Sequence, residues 1–191
     1  DVDWGPLDYL IVDSPPGTGD EPLSVAQLIR DADGALIVTT PQDVSTNDVR
    51  RSIGFVRQLD LPVLGVVENM SGFVCPDCGS HVNVFGSGGG ERMALEMDVP
   101  FLGKVPVDPE MVTACDNGRL TMFLSSKAPG ATAFSSVAEE LVKSVERQGG
   151  TAGDEVTPFT AFYVYSRESL DGAQWLQIGT DRHGGTSGWL P

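Results

Sequence analysis

Three short, almost uninterrupted apolar runs, each followed by a segment of different pattern, restrict this chain more than any other feature. Leu7-Asp8-Tyr9-Leu10-Ile11-Val12, Ala35-Leu36-Ile37-Val38-Thr39-Thr40 and Pro62 to Val67 have the continuous hydrophobicity of strands covered on both faces. Pro22 to Arg30 reads as a short helix after the first run. After the second, Ser45-Thr46-Asn47-Asp48 offers N-cap candidates for a helix to Leu59, with Val49, Ile53, Val56 and Leu59 at helical spacing. Gly90 to Met97 is helical in pattern, Phe101 to Val105 is a fourth strand, and Pro109 to Asp116 is a short helix. Phe134 to Val145 is an amphipathic helix that closes the region. Parallel strands require crossovers that cover both faces of the sheet, so the pattern predicts an α/β fold with a parallel sheet flanked by helices. In such sheets ligands gather at the carboxyl ends of the strands, where Asp13, Asn69 and Pro106 to Asp108 fall.

Charge narrows the function. Twelve Lys and Arg stand against 27 Asp and Glu, a net charge of −15. That balance disfavours nucleic acid, whose phosphates need clustered cations, and docking on an anionic membrane. No apolar run approaches the ~20 residues of a membrane helix, and no signal-peptide pattern opens the chain. Three cysteines do not make a disulfide framework, so a reducing, cytoplasmic setting is expected. The opening Asp1-Val2-Asp3-Trp4 lacks a methionine and passes almost at once into a strand, which suggests a piece of a longer protein.

Two motifs carry chemistry, and a third invites it. Asp13 ends an apolar strand, where a carboxylate is well placed to orient Mg2+ beside a nucleotide phosphate; an acidic residue capping a loop fits the same pattern. The following Ser14-Pro15-Pro16-Gly17-Thr18-Gly19-Asp20 combines stiff prolines with glycines that let the backbone approach a ligand. Cys75-Pro76-Asp77-Cys78 spaces two thiolates for one soft metal centre, an iron–sulfur cluster or Zn2+, either of which takes about four ligands. Zn2+ would draw on His81 and on Cys115 or His183, whereas a cluster would be shared by two chains across a two-fold axis. Unligated thiols, or a thioredoxin-like pair, are the plainer alternatives; the latter normally opens a helix, and here Gly79-Ser80 continue a loop. Cys115 falls within a helical pattern and is expected to be a small buried hydrophobe. Phe85-Gly86-Ser87-Gly88-Gly89-Gly90-Glu91-Arg92 looks like a phosphate cradle but has no Gly-Lys-Ser/Thr ending. A flexible turn before a helix is favoured there.

In order along the chain, these segments resemble the Mrp/ApbC family of iron–sulfur cluster carrier ATPases. The resemblance rests on Asp13 to Asp20, Thr39-Thr40-Pro41-Gln42, Glu68-Asn69-Met70-Ser71, Cys75 to Gly79, Val84 to Glu91 and Phe101 to Asp108, and covers residues 3 to 147. It is specific, because the cysteine pair sits between the Asn-Met-Ser segment and the glycine-rich one. The resemblance implies a deviant P-loop ATPase that dimerises, binds ATP with Mg2+, and carries a bridging [4Fe–4S] cluster to apoproteins. It makes Asp13 the Walker B carboxylate and Ser14 to Asp20, with Gly17 and Asp20, the nucleotide-sensing switch. Asn69 would hydrogen-bond adenine, Pro106 and Asp108 would line the base pocket, and Cys75 and Cys78 would ligate the cluster. The lysine-bearing Walker A loop of the family lies upstream of Walker B, and this chain begins too late to include it. Phosphate contacts supply most of the grip in such sites, so weak ATP hydrolysis is expected of the chain alone.

Two other functions compete. One is a colourless zinc module without ATPase activity; the other is a positioning ATPase of the ParA/MinD type without cofactor, which the acidic charge disfavours. After a polar linker at 148–156, residues 157–191 hold Phe159, Phe162, Tyr163, Tyr165, Trp175 and Trp189. Their β-type stretches, Ala161 to Ser166 and Gln174 to Ile178, predict a small β module with a faint SH3-like pattern, separate from the 1–147 domain.

Overall fold

The computed structural model describes residues 9–15, 18–29, 32–76 and 78–148, together with a strand at 159–165. Strand and helix alternate as the apolar runs require: β1 (Tyr9–Ser14), α1 (Asp20–Leu28), β2 (Gly34–Thr39), α2 (Asp43–Gln58) and β3 (Val63–Val74). There follow β4 (His81–Val82), α3 (Gly89–Glu96), β5 (Phe101–Val107), α4 (Pro109–Asp116), α5 (Leu120–Leu124), α6 (Pro129–Arg147) and β6 (Phe159–Tyr165). The sheet runs β1-β6-β2-β3-β4, with β5 also paired to β3. All described pairings are parallel except the β3–β4 hairpin.

Every residue of β2 is buried, as are Val63 to Glu68 of β3, because helices cover both faces. Side chains alternate across a strand, so Ala35, Ile37 and Val66 meet Val49, Ile53 and Val56 of α2 and Met93 of α3. Leu36, Leu64, Leu102 and Val105 face the other way, against Val137, Leu141 and Val145 of α6. Within that second layer the Ser144 hydroxyl donates to the Leu64 carbonyl at 2.6 Å, satisfying a polar group that burial would otherwise penalise.

Several local expectations change. Strand β3 does not stop at Val67 but runs to Val74, 12 residues in all, so the cysteines lie in the turn of a hairpin. Helix α2 starts at Asp43 with Gln42 as its N-cap. Ser45 therefore does not cap it; its hydroxyl lies 3.0 Å from that of Thr39 and accepts the Thr40 N–H. Helix α6 begins at Pro129, where a proline costs no hydrogen bond. The five-residue α5, with the buried Phe123, was not signalled by periodicity, being too short to show one. Cys115 is exposed on α4 and not part of a core. Strand β6 joins the main sheet between β1 and β2, with Val12 opposite Phe162 and Leu36 opposite Tyr163. The remainder of the expected β module, including Gln174 to Ile178, lies outside the described residues.

Candidate functional site

Of the residues singled out above, Asp13, Asn69, Pro106 and Asp108 lie towards the carboxyl ends of parallel strands of one sheet. Asp13 and Ser14 end β1, Asp20 opens α1, and a shallow depression is lined by Pro15, Gly19, Asp20, Glu21 and Pro22. Partial burial pushes the Asp13 carboxyl above its ordinary value of 3.8. The Ser14 hydroxyl is buried without a partner among the described residues. Gly17 lies outside the described residues. A carboxyl whose folded pKa is raised opposes folding once it ionises. The penalty is absent below pH 3.8 and grows as pH rises through the folded pKa. Asp13→Asn should therefore raise the thermal midpoint of the nucleotide-free chain at neutral pH. The gain should vanish in acid, which midpoints of parent and variant measured across pH will check.

Asn69 and the end of β5 meet three strands away. Asn69 pairs with Val105, which places Pro106 next to it on the neighbouring strand. β1 and β3 are separated by β6 and β2, so the two clusters stand roughly 14 Å apart across the sheet. Asp108 has a structural task in this corner. Its carboxylate caps α4 by accepting from Glu110 N at 2.9 Å and Met111 N at 3.4 Å, and it accepts from Gly130 N of α6 at 3.0 Å. One side chain thus satisfies the open N–H groups of two helices. Asp108→Ala should cost about 2–4 kcal/mol in urea denaturation, more than loss of an ordinary cap.

The cysteine pair sits at the tip of the β3–β4 hairpin. Phe73 pairs with Val82 and Val74 with His81, and the turn closes through Cys75 N to Ser80 O at 3.0 Å and Gly79 N to Cys75 O at 2.9 Å. Gly79 takes a φ of 68°, which a side chain would disfavour. Cys75 is half-buried and Cys78 exposed. The Cys78 thiol donates to the Ser80 hydroxyl at 3.2 Å. Once the thiol ionises, the Ser80 hydroxyl and N–H, then the Cys75 thiol, can donate to the Cys78 sulfur instead, which pulls its pKa below the ordinary value and favours the thiolate that binds metals. Among the described residues no group of three or more His, Cys, Asp and Glu is placed to hold one ion, so His81 does not complete a site with the pair.

A residue that the pattern did not single out for a role, Glu68, organises the hairpin's base. It is fully buried, and its carboxylate accepts from Gly88 N at 2.7 Å, Gly90 N at 2.6 Å and the Ser71 hydroxyl at 2.5 Å. The glycine-rich segment is neither a phosphate cradle nor a free turn: its N–H groups hold this internal carboxylate. An acid directly after a buried apolar run is the signal for it, since a charge buried there needs donors close by.

A parallel α/β sheet with an acidic strand end and loops at its carboxyl edge is an arrangement that P-loop NTPases share, and the match of residues 1–142 to a family model places the chain in that class. Residues 1–142 match the NUBPL iron-transfer P-loop NTPase model of the ParA type. An iron-sulfur cluster carrier protein of Methanocaldococcus jannaschii is 49% identical over 146 residues, which cover 76% of this chain and 50% of that protein. The cytosolic Fe-S cluster assembly factor NUBP2 of Bos taurus is 51% identical over 144 residues, 74% of this chain and 53% of its own length. A nucleotide-binding protein of Archaeoglobus fulgidus, solved in complex with ADP, superposes with a TM-score of 0.58 at 39% identity, covering 69% of this chain and 52% of that one. This chain belongs to the iron-transfer P-loop NTPase family, and it spans about half the length of the curated relatives it matches.

Proposed function

We propose that this chain is the cargo-holding part of an ATP-dependent iron–sulfur cluster carrier. The observation that carries the proposal is the exposed hairpin tip bearing Cys75 and Cys78, with no third ligand beside the pair among the described residues. Two thiolates are half of what a [4Fe–4S] cluster takes, so a second copy of the chain supplies the other half in a homodimer. The cluster is cargo, held at a solvent-facing tip where the thiols of an apo iron–sulfur protein can replace these cysteines one by one. A zinc site built within one chain needs two further ligands, and among the described residues none stands beside the pair.

The nucleotide's part is assigned to the other two clusters. Asn69 and Pro106, with the backbone at Asp108, receive the adenine of ATP. Asp13 orients Mg2+ or its water, and the segment Ser14 to Asp20, with Gly17, senses the phosphates. The ADP bound by the Archaeoglobus fulgidus protein supports a nucleotide in this fold. None of the three lysines, Lys104, Lys127 and Lys143, follows a glycine-rich strand–loop–helix entry, so the phosphates' lysine is not assigned to a residue of this sequence. A reducing, cytoplasmic compartment suits cargo ligated by free thiols. The test is anaerobic reconstitution with ferrous iron and sulfide in competition with Zn2+, followed by addition of an apoferredoxin. A brown protein that gives up its colour to the acceptor supports the carrier; a colourless, zinc-loaded monomer contradicts it.

A further inference from the structure

The hairpin leaves the sheet at a defect in β3. Asn69 pairs with Val105 and Phe73 with Val107, so β3 spends four steps where β5 spends two. The extra residues form a bulge, in which Met70 has a φ of 56° and Gly72 a φ of 80°. Left-handed backbone at a non-glycine residue costs free energy and persists only where the surroundings impose it. Here the imposing group is Glu68. It grips Ser71, inside the bulge, with the same carboxylate oxygen that accepts from Gly88 N, while its other oxygen accepts from Gly90 N. The Ser71 hydroxyl also lies 3.0 Å from that of Ser87. Where β3 enters the bulge, Asn69 Oδ1 accepts the Met70 N–H at 2.9 Å.

We infer that Glu68 is a positioning residue for the cysteine pair. By fastening Ser71 to the glycine-rich segment before α3, it fixes the direction in which β3 leaves the sheet, and so where Cys75 and Cys78 stand relative to Asn69. Cα atoms four residues apart in chain, at Ser71 and Cys75, are joined by the paired segment Phe73–Val74, which transmits that direction to the tip. The positioning stands on geometry alone. Its consequence for cargo rests on the carrier function proposed above.

Ser71→Ala tests it, because this change removes the hydroxyl but leaves the carboxylate its two backbone donors. In the reduced, metal-free full chain, alkylation of each cysteine by iodoacetamide is followed by peptide mass spectrometry. Loss of a hydrogen bond to a carboxylate raises local opening by roughly tenfold. Cys75 should therefore react several-fold faster, Cys115 on α4 should keep its rate, and Ser71→Thr should restore the parent behaviour. Ser144→Ala, which removes a buried hydrogen bond on the α6 side, serves as the control for general loosening. An unchanged Cys75 rate in Ser71→Ala, or an equal rise in Ser144→Ala, overturns the inference. Anaerobic cluster loading of the same proteins separates the two claims. Failure of the parent to take up iron sinks the carrier while leaving the positioning intact. Full loading of the parent with unchanged Cys75 reactivity in Ser71→Ala sinks the positioning alone.

Discussion

Replacing Cys75 and Cys78 together by alanine is expected to abolish iron and sulfide uptake while leaving the fold in place. In the proposed carrier each chain would contribute two thiolates, and removing both would leave a shared centre without ligands. Either single change leaves two of the four positions empty when both copies carry it, so singles should lose nearly as much as the double variant. Stability should change by no more than about 1 kcal/mol, because Cys78 is exposed and Cys75 only half-buried at the end of a hairpin. Visible absorption and iron analysis after anaerobic reconstitution, set beside thermal midpoints, check both halves. A variant that still binds iron would move the site elsewhere.

The second large effect lies in the glycine-rich segment. A Cβ on Gly89 would stand 2.0 Å from the Pro41 carbonyl oxygen, and one on Gly90 would stand 2.7 Å from Thr39 Cγ2 and 3.1 Å from Glu68 Oε2. The loop after β2 and the start of α3 are in backbone contact at this point, and neither can give way cheaply. Gly89→Ala should cost about 3 kcal/mol or more, a large share of the stability of a single domain. Gly54 in the middle of α2 supplies the contrast. Nothing lies within 4 Å of its Cβ position, so Gly54→Ala should gain about 0.5–1 kcal/mol through helix propensity. Urea denaturation of the two variants and the parent measures both. Equal effects would mean that the approach of Gly89 to Pro41 is not a determinant of the fold.

The strands are legible because their apolar runs are continuous, although β1 is only partly buried, and α4 occupies the Pro109–Asp116 read from the sequence. The ends of α2 and α6 were less so. Ser45 is a good capping residue by type, yet tertiary packing uses its hydroxyl to hold Thr39 and Thr40. The length of β3 was hidden by its bulge: Asn69, Met70, Ser71 and Gly72 interrupt the apolar run, and nothing local reveals that pairing resumes at Phe73. The candidate site was legible where chemistry is written in residue type, as in the cysteine pair and the acid at the end of β1. Residues that work by holding backbone stayed hidden. Glu68 and the N–H groups of Gly88 and Gly90 are twenty or more residues apart, and Asp108 joins α4 to α6 across a similar gap.

The most direct test of the carrier is the ratio of iron to protein together with the mass in solution. After anaerobic reconstitution, the protein should run as a dimer with four irons per two chains, and chelation of the iron should return it to monomers. A monomer that keeps a full metal complement on one chain would contradict the shared site, and with it the proposed route of cluster delivery.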